Sequence, residues 1–240
     1  MIKKLVILLG LLALPLMAQS DSALKIVASS DREEGDLALD SVRKPALLLD
    51  FLDIKPGLRI ADLGAGTGYT TELIVRSVGP QGKVWAQNPA SWKNFVDEAL
   101  KKRLQKELWS NVTRVDTDFD TPLPADAKNL DMVVMVLIYH DTCNMPLDRA
   151  VMNKAIYDAL KPGGVYIVVD HHSKEGTGIT ETKNLHRIEK KVVLDEVTAA
   201  GFTLADESDF LADAGDKRDF IAFGRPQPVT DRFALKFVKK

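Results

Sequence analysis

The sequence predicts a doubly wound α/β fold, in which helices cover both faces of a mostly parallel sheet. Two observations lead to this prediction. Helix-like and strand-like patterns alternate from residue 45, and several strand-like runs are apolar without interruption, as at 132–138. Continuous apolar runs are typical of strands buried on both faces. "GFTLADESDF" and "RFALKFVK" predict an antiparallel pair, which gives the sheet an antiparallel C-terminal edge strand.

The predicted elements begin with a helix at 45–54, which ends at the turn "KPG". A strand at 58–62 follows and leads through a glycine-rich turn into a helix at 69–78. The later elements are a strand in "KVWAQN", an amphipathic helix at 90–108, strands in "VTRVD" and "LDMVVMVLIYHD", a helix in "RAVMNKAIYDALKPGG", a strand in "VYIVVDHHS" and a helix at about 191–200.

The chain opens with "MIKKLVILLGLLALPLMAQS", in which two lysines precede a short apolar run and small residues follow. This layout predicts a signal peptide at 1–20 and a periplasmic or secreted protein. An uncleaved membrane anchor is the alternative, and the lysines ahead of the apolar run again favour a domain outside the cytosol. We expect a helical lid segment at 21–44, a main domain at 45–240 and no stable membrane span after cleavage.

The composition argues against one class of function. The formal net charge is −2 and becomes more negative once Lys3 and Lys4 leave, which disfavours a general nucleic-acid binder. Cys143 is the only cysteine, so no intramolecular disulfide supports the fold. A small-molecule partner is therefore expected, and the oligomeric state stays open.

"RIADLGAGTGYTTELI" places three glycines, at positions 64, 66 and 68, between a strand and a helix. Glycines there let the backbone approach a ligand, and the following helix N-terminus offers free N–H groups. The turn is not a phosphate-binding loop, because Tyr69 and Thr70 follow the last glycine. The spacing also differs from the dinucleotide-binding pattern. A strand–helix turn without a ligand is the alternative.

"ADLGAGTGYTT" resembles motif I of the class I S-adenosylmethionine (SAM)-dependent methyltransferases, and "LKPGGVYIVVD" resembles their helix–turn–strand segment after the fourth strand. The resemblance covers about 45–240 and implies a Rossmann-like methyltransferase fold with SAM as cofactor. With the leader, the stretches "DREEGDLALDSVRKP", "YHD", "DHHS" and "LHRIEKKVVLDEVTAAGF" resemble a poorly characterised bacterial group of exported methyltransferases.

The resemblance implies roles for residues at the strand ends. Asp62 would orient the turn and help to hold the ammonium of SAM. The acidic residue that normally grips the ribose is replaced by Gln87 and Asn88, whose amides bond hydroxyls more weakly than a carboxylate does. Asp118 matches an adenine-contacting position or is only a turn residue. The implied cofactor-binding set is Asp62, Gly64, Ala65, Gly66, Gly68, Tyr69, Gln87, Asn88, Asp118, Phe119 and Tyr139.

All four histidines fall near the predicted carboxyl edge of the sheet. A histidine oriented by a carboxylate would remove a proton from an O–H or N–H acceptor during methyl transfer. The predicted catalytic residues are His140, Asp141, Asp170, His171 and His186. The simpler alternatives are that Asp141 caps a helix or turn, that His186 and Arg187 form a surface pair, and that His172 faces solvent.

A divalent metal is an alternative use of the same edge. Asp141, Asp170 and His171 occupy positions similar to the metal-binding positions of catechol-type O-methyltransferases, and a histidine there favours a transition metal over Mg²⁺. The prediction keeps SAM as the cofactor and assigns no residue as a metal ligand.

The predicted function is methyl transfer from SAM to a small-molecule acceptor, with a His/Asp base. The insert at about 171–190 is expected to be a mobile lid or acceptor loop. Arg43 and Lys44 either close over the SAM carboxylate or solvate a helix start. The alternative function is an exported binding protein for a small or adenosyl ligand, or a non-methylating enzyme, since SAM is made in the cytosol and the ribose position lacks its carboxylate.

Overall fold

The computed structural model describes residues 19–240, so nearly all of the predicted signal peptide lies outside the described residues. The strands are β1 (Arg59–Leu63), β2 (Lys83–Asn88), β3 (Val112–Asp116), β4 (Leu130–Val136), β5 (Leu160–His171), β6 (Phe202–Ser208) and β7 (Arg232–Lys239). They form one sheet in the order β3-β2-β1-β4-β5-β7-β6, and β1 to β5 pair in parallel. The predicted doubly wound α/β fold is confirmed.

The C-terminal strand β7 runs antiparallel to both of its neighbours, β5 and β6. The predicted antiparallel pairing of the last two strands is therefore confirmed. β7 lies one position in from the edge, and β6 is the outermost strand. The register places Arg232 opposite His171, which brings an arginine from the last strand to the carboxyl end of β5.

Nine α-helices belong to the described residues. They are α1 (Asp21–Val27), α2 (Glu34–Leu37), α3 (Asp40–Arg43), α4 (Pro45–Leu52), α5 (Tyr69–Val78), α6 (Lys93–Leu104), α7 (Tyr139–Thr142), α8 (Arg149–Ala159) and α9 (Lys190–Ala199). One core layer packs α8 and α9 against the sheet, and the other packs α4 and α5 against it. Within residues 19–240, no helix combines the length and the apolar character needed to cross a membrane.

The helix predicted at 90–108 is shorter in the structure. α6 is preceded by a 3-10 turn at Ala90–Trp92 and followed by another at Glu107–Trp109. Lys106 has an extended backbone (ψ 141°), which ends the helical path. This change of direction buries the Trp109 indole against Val96 and Leu100 of α6.

The segment α1–α3 is fixed to the domain by buried ion pairs. Arg103 of α6 donates to both carboxylate oxygens of Asp36, at 2.7 and 2.8 Å, and to Glu72 of α5 at 2.5 Å. Within the segment itself, Arg32 forms a bidentate pair with Asp40 at 2.6 and 2.8 Å. The short helices of this segment thus lie on the flank of α5, beside the glycine turn.

Candidate active site

The turn between β1 and α5 has left-handed backbone at all three glycines, with φ of +69° at Gly64, +57° at Gly66 and +98° at Gly68. A Cβ on Gly64 would lie 2.7 Å from the side chain of Ile138, and one on Gly68 would lie 2.7 Å from Trp109. Backbone angle and close packing therefore both require glycine at these two positions. The turn lies at the carboxyl end of β1, where ligands bind in open α/β sheets.

Two buried amides hold this turn. The Gly64 N–H donates to Gln87 Oε1 at 3.0 Å, and Gln87 Nε2 donates to the Thr117 carbonyl at 2.6 Å. Asn88 pairs with both groups of Gly66: its Oδ1 accepts from the N–H at 2.8 Å, and its Nδ2 donates to the carbonyl at 3.1 Å. Gln87 and Asn88, which the resemblance placed at the ribose of SAM, thus bind the backbone of the glycine turn. Their position at a strand end did not reveal this role.

Asp62, the last residue but one of β1, is a buried carboxyl group. It accepts a hydrogen bond from the Thr71 hydroxyl at 2.6 Å. Burial raises the pKa of Asp62 to about 7, against the opposing effects of the Thr71 hydrogen bond and the Arg43 guanidinium. A carboxyl group that titrates near neutrality in a buried site responds strongly to a nearby cation.

A small cavity lies beside the turn. Tyr69 and Thr70, at the start of α5, form one side, and Arg43 and Arg232 also line the cavity. The apolar walls are Leu48, Val136, Leu137, Val169 and Leu211. Burial lowers the pKa of Arg232 to about 10, so this arginine stays charged at neutral pH. Two cations beside a helix N-terminus favour an anionic ligand group.

Tyr69 connects this cavity to the segment α1–α3. Its hydroxyl donates to Asp40 Oδ1 at 2.8 Å, and the Arg43 guanidinium lies 4.5 Å from its ring centroid. Arg43 Nε also donates to Gln227 Oε1 at 3.1 Å. The end of α3 and the loop at 209–231 therefore meet over the cavity.

The remaining implied cofactor residues have different surroundings. Ala65 lies in the turn, and its N–H donates to the Gln87 carbonyl at 2.9 Å. Phe119 is buried and packs edge-on against Trp92, with ring centroids 6.2 Å apart. Asp118 is exposed, and its carbonyl accepts a turn hydrogen bond at 3.2 Å. Its carboxylate is left open to solvent, in keeping with either prediction for this residue.

Tyr139 belongs to the packing between helices. Its hydroxyl donates to Glu196 Oε2 at 2.8 Å and accepts from Asn153 Nδ2 at 2.8 Å. The side chain is buried in the core layer that contains α8 and α9. The structure thus does not bring the Tyr139 hydroxyl to the glycine turn.

Four of the five predicted catalytic residues meet in one cluster. His140 Nδ1 lies 2.7 Å from Asp170 Oδ1, and the backbone N–H of His140 donates to the other oxygen at 2.8 Å. On the opposite side of the ring, Nε2 lies 3.2 Å from His186 Nδ1 and 3.3 Å from Asp141 Oδ1. The last two atoms are 3.4 Å apart. We call these four residues the His–Asp cluster.

His171 lies next to the cluster, with its ring centroid 5.9 Å from that of His140 and its Nδ1 2.7 Å from the Thr230 hydroxyl. Burial lowers the pKa of His140, but the carboxylates of Asp170 and Asp141 outweigh burial and raise it to about 10. Burial, followed by the charge of His140, holds the pKa of His171 well below its usual range. The ligand-free protein thus has one charged and one neutral histidine side by side.

Access to the His–Asp cluster is one-sided. The side chain of Asp170 is fully buried and that of His140 is 4% exposed, whereas Asp141 is 28% exposed and His186 is 30% exposed. A ligand can therefore reach the cluster only at Asp141 and His186. Asp141 lies inside α7 and makes no capping hydrogen bond, so the capping alternative is wrong.

The segment before α9 is tied down at Arg187. This buried side chain donates to Asp216 at 2.9 and 3.3 Å and to the carbonyls of His172 and Phe220 at 3.0 Å each. The surface-pair alternative is therefore wrong, and so is a solvent-facing His172, which is half-buried against Phe233. With Arg187 fixed, the left-handed backbone of His186 (φ +53°) is part of the turn that brings its ring beside α7.

Three contributors carried no recognisable signal in the sequence: Thr71, Arg232 and Phe223. Phe223 lies in the loop at 209–231, is 67% exposed, and packs its ring 5.4 Å from that of His186. An arginine on a C-terminal strand and an exposed phenylalanine in a loop become site residues only when the sheet order is known.

Comparison with known proteins agrees with this fold. Residues 60–164 match the family model described as a methyltransferase domain. A SAM-dependent methyltransferase from Aquifex aeolicus superposes with a TM-score of 0.60 at 18% identity, covering 91% of this chain and 98% of the other. Fibrillarin from Aeropyrum pernix with natively bound SAM gives 0.53 at 16% identity, covering 77% and 67%.

Among curated relatives, a putative rRNA 2'-O-methyltransferase, fibrillarin 3 from Arabidopsis thaliana, is 29% identical over 143 residues, which is 59% of this chain and 46% of that protein. The matches span less than two thirds of the length of the curated relatives. The protein has the fold of the class I SAM-dependent methyltransferases. Its residues 60–164 are similar to the methyltransferase domain family.

Proposed function

We propose that the protein is a SAM-dependent methyltransferase that acts on a small-molecule acceptor. The observation that carries the proposal is one edge of the sheet, where the glycine turn, Asp62 and the two-arginine cavity lie beside the half-open His–Asp cluster. The first three features suit the methionine end of SAM, and the cluster suits a reacting acceptor.

The cavity and the nearby Asp62 together provide for both charges of the methionine end. Arg43, Arg232 and the start of α5 suit a carboxylate, because they combine two cations with a helix N-terminus. Asp62 suits the ammonium. At the ribose position β2 carries the amides of Gln87 and Asn88 in place of a carboxylate. Both amides are engaged in hydrogen bonds to the glycine turn. We expect the methionine end to dominate the affinity for SAM.

In the reaction, an oxygen or nitrogen of the acceptor attacks the methyl carbon while the carbon–sulfur bond breaks. The electron pair goes to sulfur and gives S-adenosylhomocysteine, and the proton of the acceptor passes to Asp141 or His186, because His140 is already charged. The sulfonium is already reactive, so the protein must supply alignment and proton removal. Asp141 and His186 are the points of entry, because they are the accessible members of the cluster.

The surface around these two residues supports an acceptor with an apolar part. Phe223 is 67% exposed and Ile221 is 47% exposed, both in the loop at 209–231 that contacts His186. Exposed apolar side chains beside a polar cluster suit a small molecule that has an apolar body and one reactive group. RNA is the alternative acceptor, since the Arabidopsis relative is named as a putative rRNA methyltransferase, but the net charge of −2 supports a small molecule over RNA.

The test is calorimetric titration of the full-length protein with SAM and with S-adenosylhomocysteine. We expect binding of both, weakened at least tenfold by Asp62→Ala. Asp158→Ala, which removes an exposed carboxylate from α8, should leave the affinity unchanged. Transfer of labelled methyl groups is then assayed on small hydroxyl and amine compounds and on RNA. Labelling of RNA alone would overturn the acceptor class, and no binding at millimolar ligand would overturn the cofactor.

A binding protein on the same fold is the second candidate, and the engaged amides at the ribose position favour it. It predicts ligand affinity without methyl transfer to any acceptor. We also propose, from the leader sequence, that the protein is exported to the periplasm or secreted. A fused reporter enzyme that works only outside the cytosol tests this, with a fusion lacking residues 1–20 as the control.

A further inference from the structure

Three side-chain atoms of the His–Asp cluster converge on one point. They are His140 Nε2, His186 Nδ1 and Asp141 Oδ1, and the sides of the triangle that they form measure 3.2, 3.3 and 3.4 Å. Two imidazole nitrogens and one carboxylate oxygen are a ligand set that transition metals favour. The triad differs from the one that the sequence suggested as the metal alternative, which contained Asp170 and His171.

The size of the triangle discriminates between coordination geometries. With metal–ligand distances of ~2.0–2.1 Å, neighbouring ligands of a tetrahedral ion lie ~3.3–3.4 Å apart, whereas those of an octahedral ion lie ~2.8–3.0 Å apart. The observed sides of 3.2 to 3.4 Å match the face of a tetrahedron. An ion in contact with all three atoms would lie less than ~1 Å from their plane and keep a fourth position free.

The surroundings already have the form of a metal site. Metal-binding histidines usually donate their second ring N–H to a carboxylate, which fixes the tautomer and orients the ring. Asp170 Oδ1 lies 2.7 Å from Nδ1 of His140, so Nδ1 keeps its proton, and a metal that displaces the proton on Nε2 would meet a lone pair that points into the triangle. The carboxylates of Asp141 and Asp170 also balance the charge of a divalent ion.

The burial pattern agrees with a catalytic type of site. His140 and Asp170 lie inside, while Asp141 and His186 are 28% and 30% exposed. Solvent therefore meets the triangle from one side. Three protein ligands with one open position is the arrangement of catalytic zinc sites, whereas structural zinc sites are closed by four protein ligands.

We propose that His140, Asp141 and His186 bind one divalent ion of the zinc class, with Asp170 as the orienting partner and the fourth position open to solvent. The site binds metal whether or not the protein transfers methyl groups. Where the proposed function also holds, the open position lies where the reactive oxygen or nitrogen of the acceptor would bind, and the ion would favour its deprotonated form.

The test uses the full-length protein, freed of metal with a chelator and titrated with Zn²⁺ in competition with a coloured chelator. We expect one equivalent to bind. Co²⁺ serves as the spectroscopic probe, because a tetrahedral site gives it the intense visible absorption that octahedral cobalt lacks. His186→Ala is the main variant, since this half-exposed residue is the ligand least involved in packing, and it should weaken binding at least tenfold.

Two further variants define the site. Asp170→Asn should weaken metal binding by about 10–100-fold without removing a ligand, as loss of an orienting partner does. His172→Ala is the matched control, because it removes a histidine that lies outside the triangle, and it should bind like the unmodified protein. Circular dichroism confirms that each variant is folded.

The proposal is overturned if the protein binds no Zn²⁺, or if His186→Ala binds as tightly as His172→Ala. SAM affinity is measured on the same metal-free and metal-loaded samples. SAM binding without metal binding would overturn this inference alone, and metal binding without SAM binding would overturn the proposed function alone.

Discussion

Among single residues, Asp62 is the one whose charge should depend on the ligand. Burial raises its pKa to about 7, and a bound ammonium would favour the carboxylate form. We therefore expect SAM binding to release a proton near pH 6, and the affinity to be about five- to tenfold weaker at pH 6 than at pH 7.5. Calorimetry in two buffers with different ionisation enthalpies measures the protons released.

Asp62→Asn is the control for this effect, because an amide keeps the hydrogen bond to Thr71 but does not titrate. Its SAM affinity should be weaker and should lose the pH dependence. Without ligand, the folded protein holds this proton more tightly than the unfolded chain, so the group's contribution to stability falls as pH rises from 3.8 towards 7. Equal binding heats in both buffers would contradict a role for Asp62 at the ammonium.

The structure predicts that an acidic residue at position 88 destabilises the protein, whereas the family resemblance suggests that it would improve SAM binding. Asn88→Asp would restore an acidic residue at the ribose position, but a carboxylate cannot donate to the Gly66 carbonyl that lies 3.1 Å away. We expect a loss of about 1–3 kcal/mol, which lowers the melting temperature by about 2–12 °C. Gln105→Glu, the same change in charge at an exposed position, should have little effect. An unchanged melting temperature with tighter SAM binding would show that Asn88 is free to leave the turn.

Among the elements, the segment α1–α3 depends on one arginine. Arg103 lies between Asp36 and Glu72, and all three side chains are less than 10% exposed. Arg103→Met would leave two buried carboxylates without this partner, so we expect a loss of about 3–5 kcal/mol in urea unfolding. Lys154→Met removes an exposed i,i+4 partner and should cost about 0.5 kcal/mol or less. Similar losses in both variants would mean that the buried network does not hold the segment.

The same elements show what the sequence could predict. The central strands were recognisable because strands buried on both faces are apolar throughout, as in β4. The glycine turn and most of the His–Asp cluster were recognisable because strand ends of a parallel sheet meet at one edge. The structural roles of Gln87 and Arg187 could not be recognised in the sequence. Each depends on a partner about 30 residues away, whose position only the folded chain defines.

At the scale of the whole molecule, ligand binding should raise the free energy of unfolding and the melting temperature. A ligand that binds only the folded state at a hundred times its dissociation constant contributes about 2.7 kcal/mol. That corresponds to a rise of about 5–11 °C in melting temperature for a chain of this size. We expect this rise with SAM and S-adenosylhomocysteine and a smaller one with adenosine, which lacks the methionine end. An equal rise with adenosine would mean that the cavity of Arg43 and Arg232 contributes little.

The position of β7 also sets the order in which the site is assembled. Among the described strands, β6 hydrogen-bonds only to β7, yet β7 follows it in the chain after the loop at 209–231. β6 therefore cannot dock during synthesis until β7 has emerged and paired with β5. The same event closes the loop that carries Phe223 and Gln227. A folding intermediate that has formed β1 to β5 would already have its glycine turn but would lack the loop beside His186 where the acceptor is proposed to bind. Catalytic competence should therefore be the last property that the maturing chain acquires.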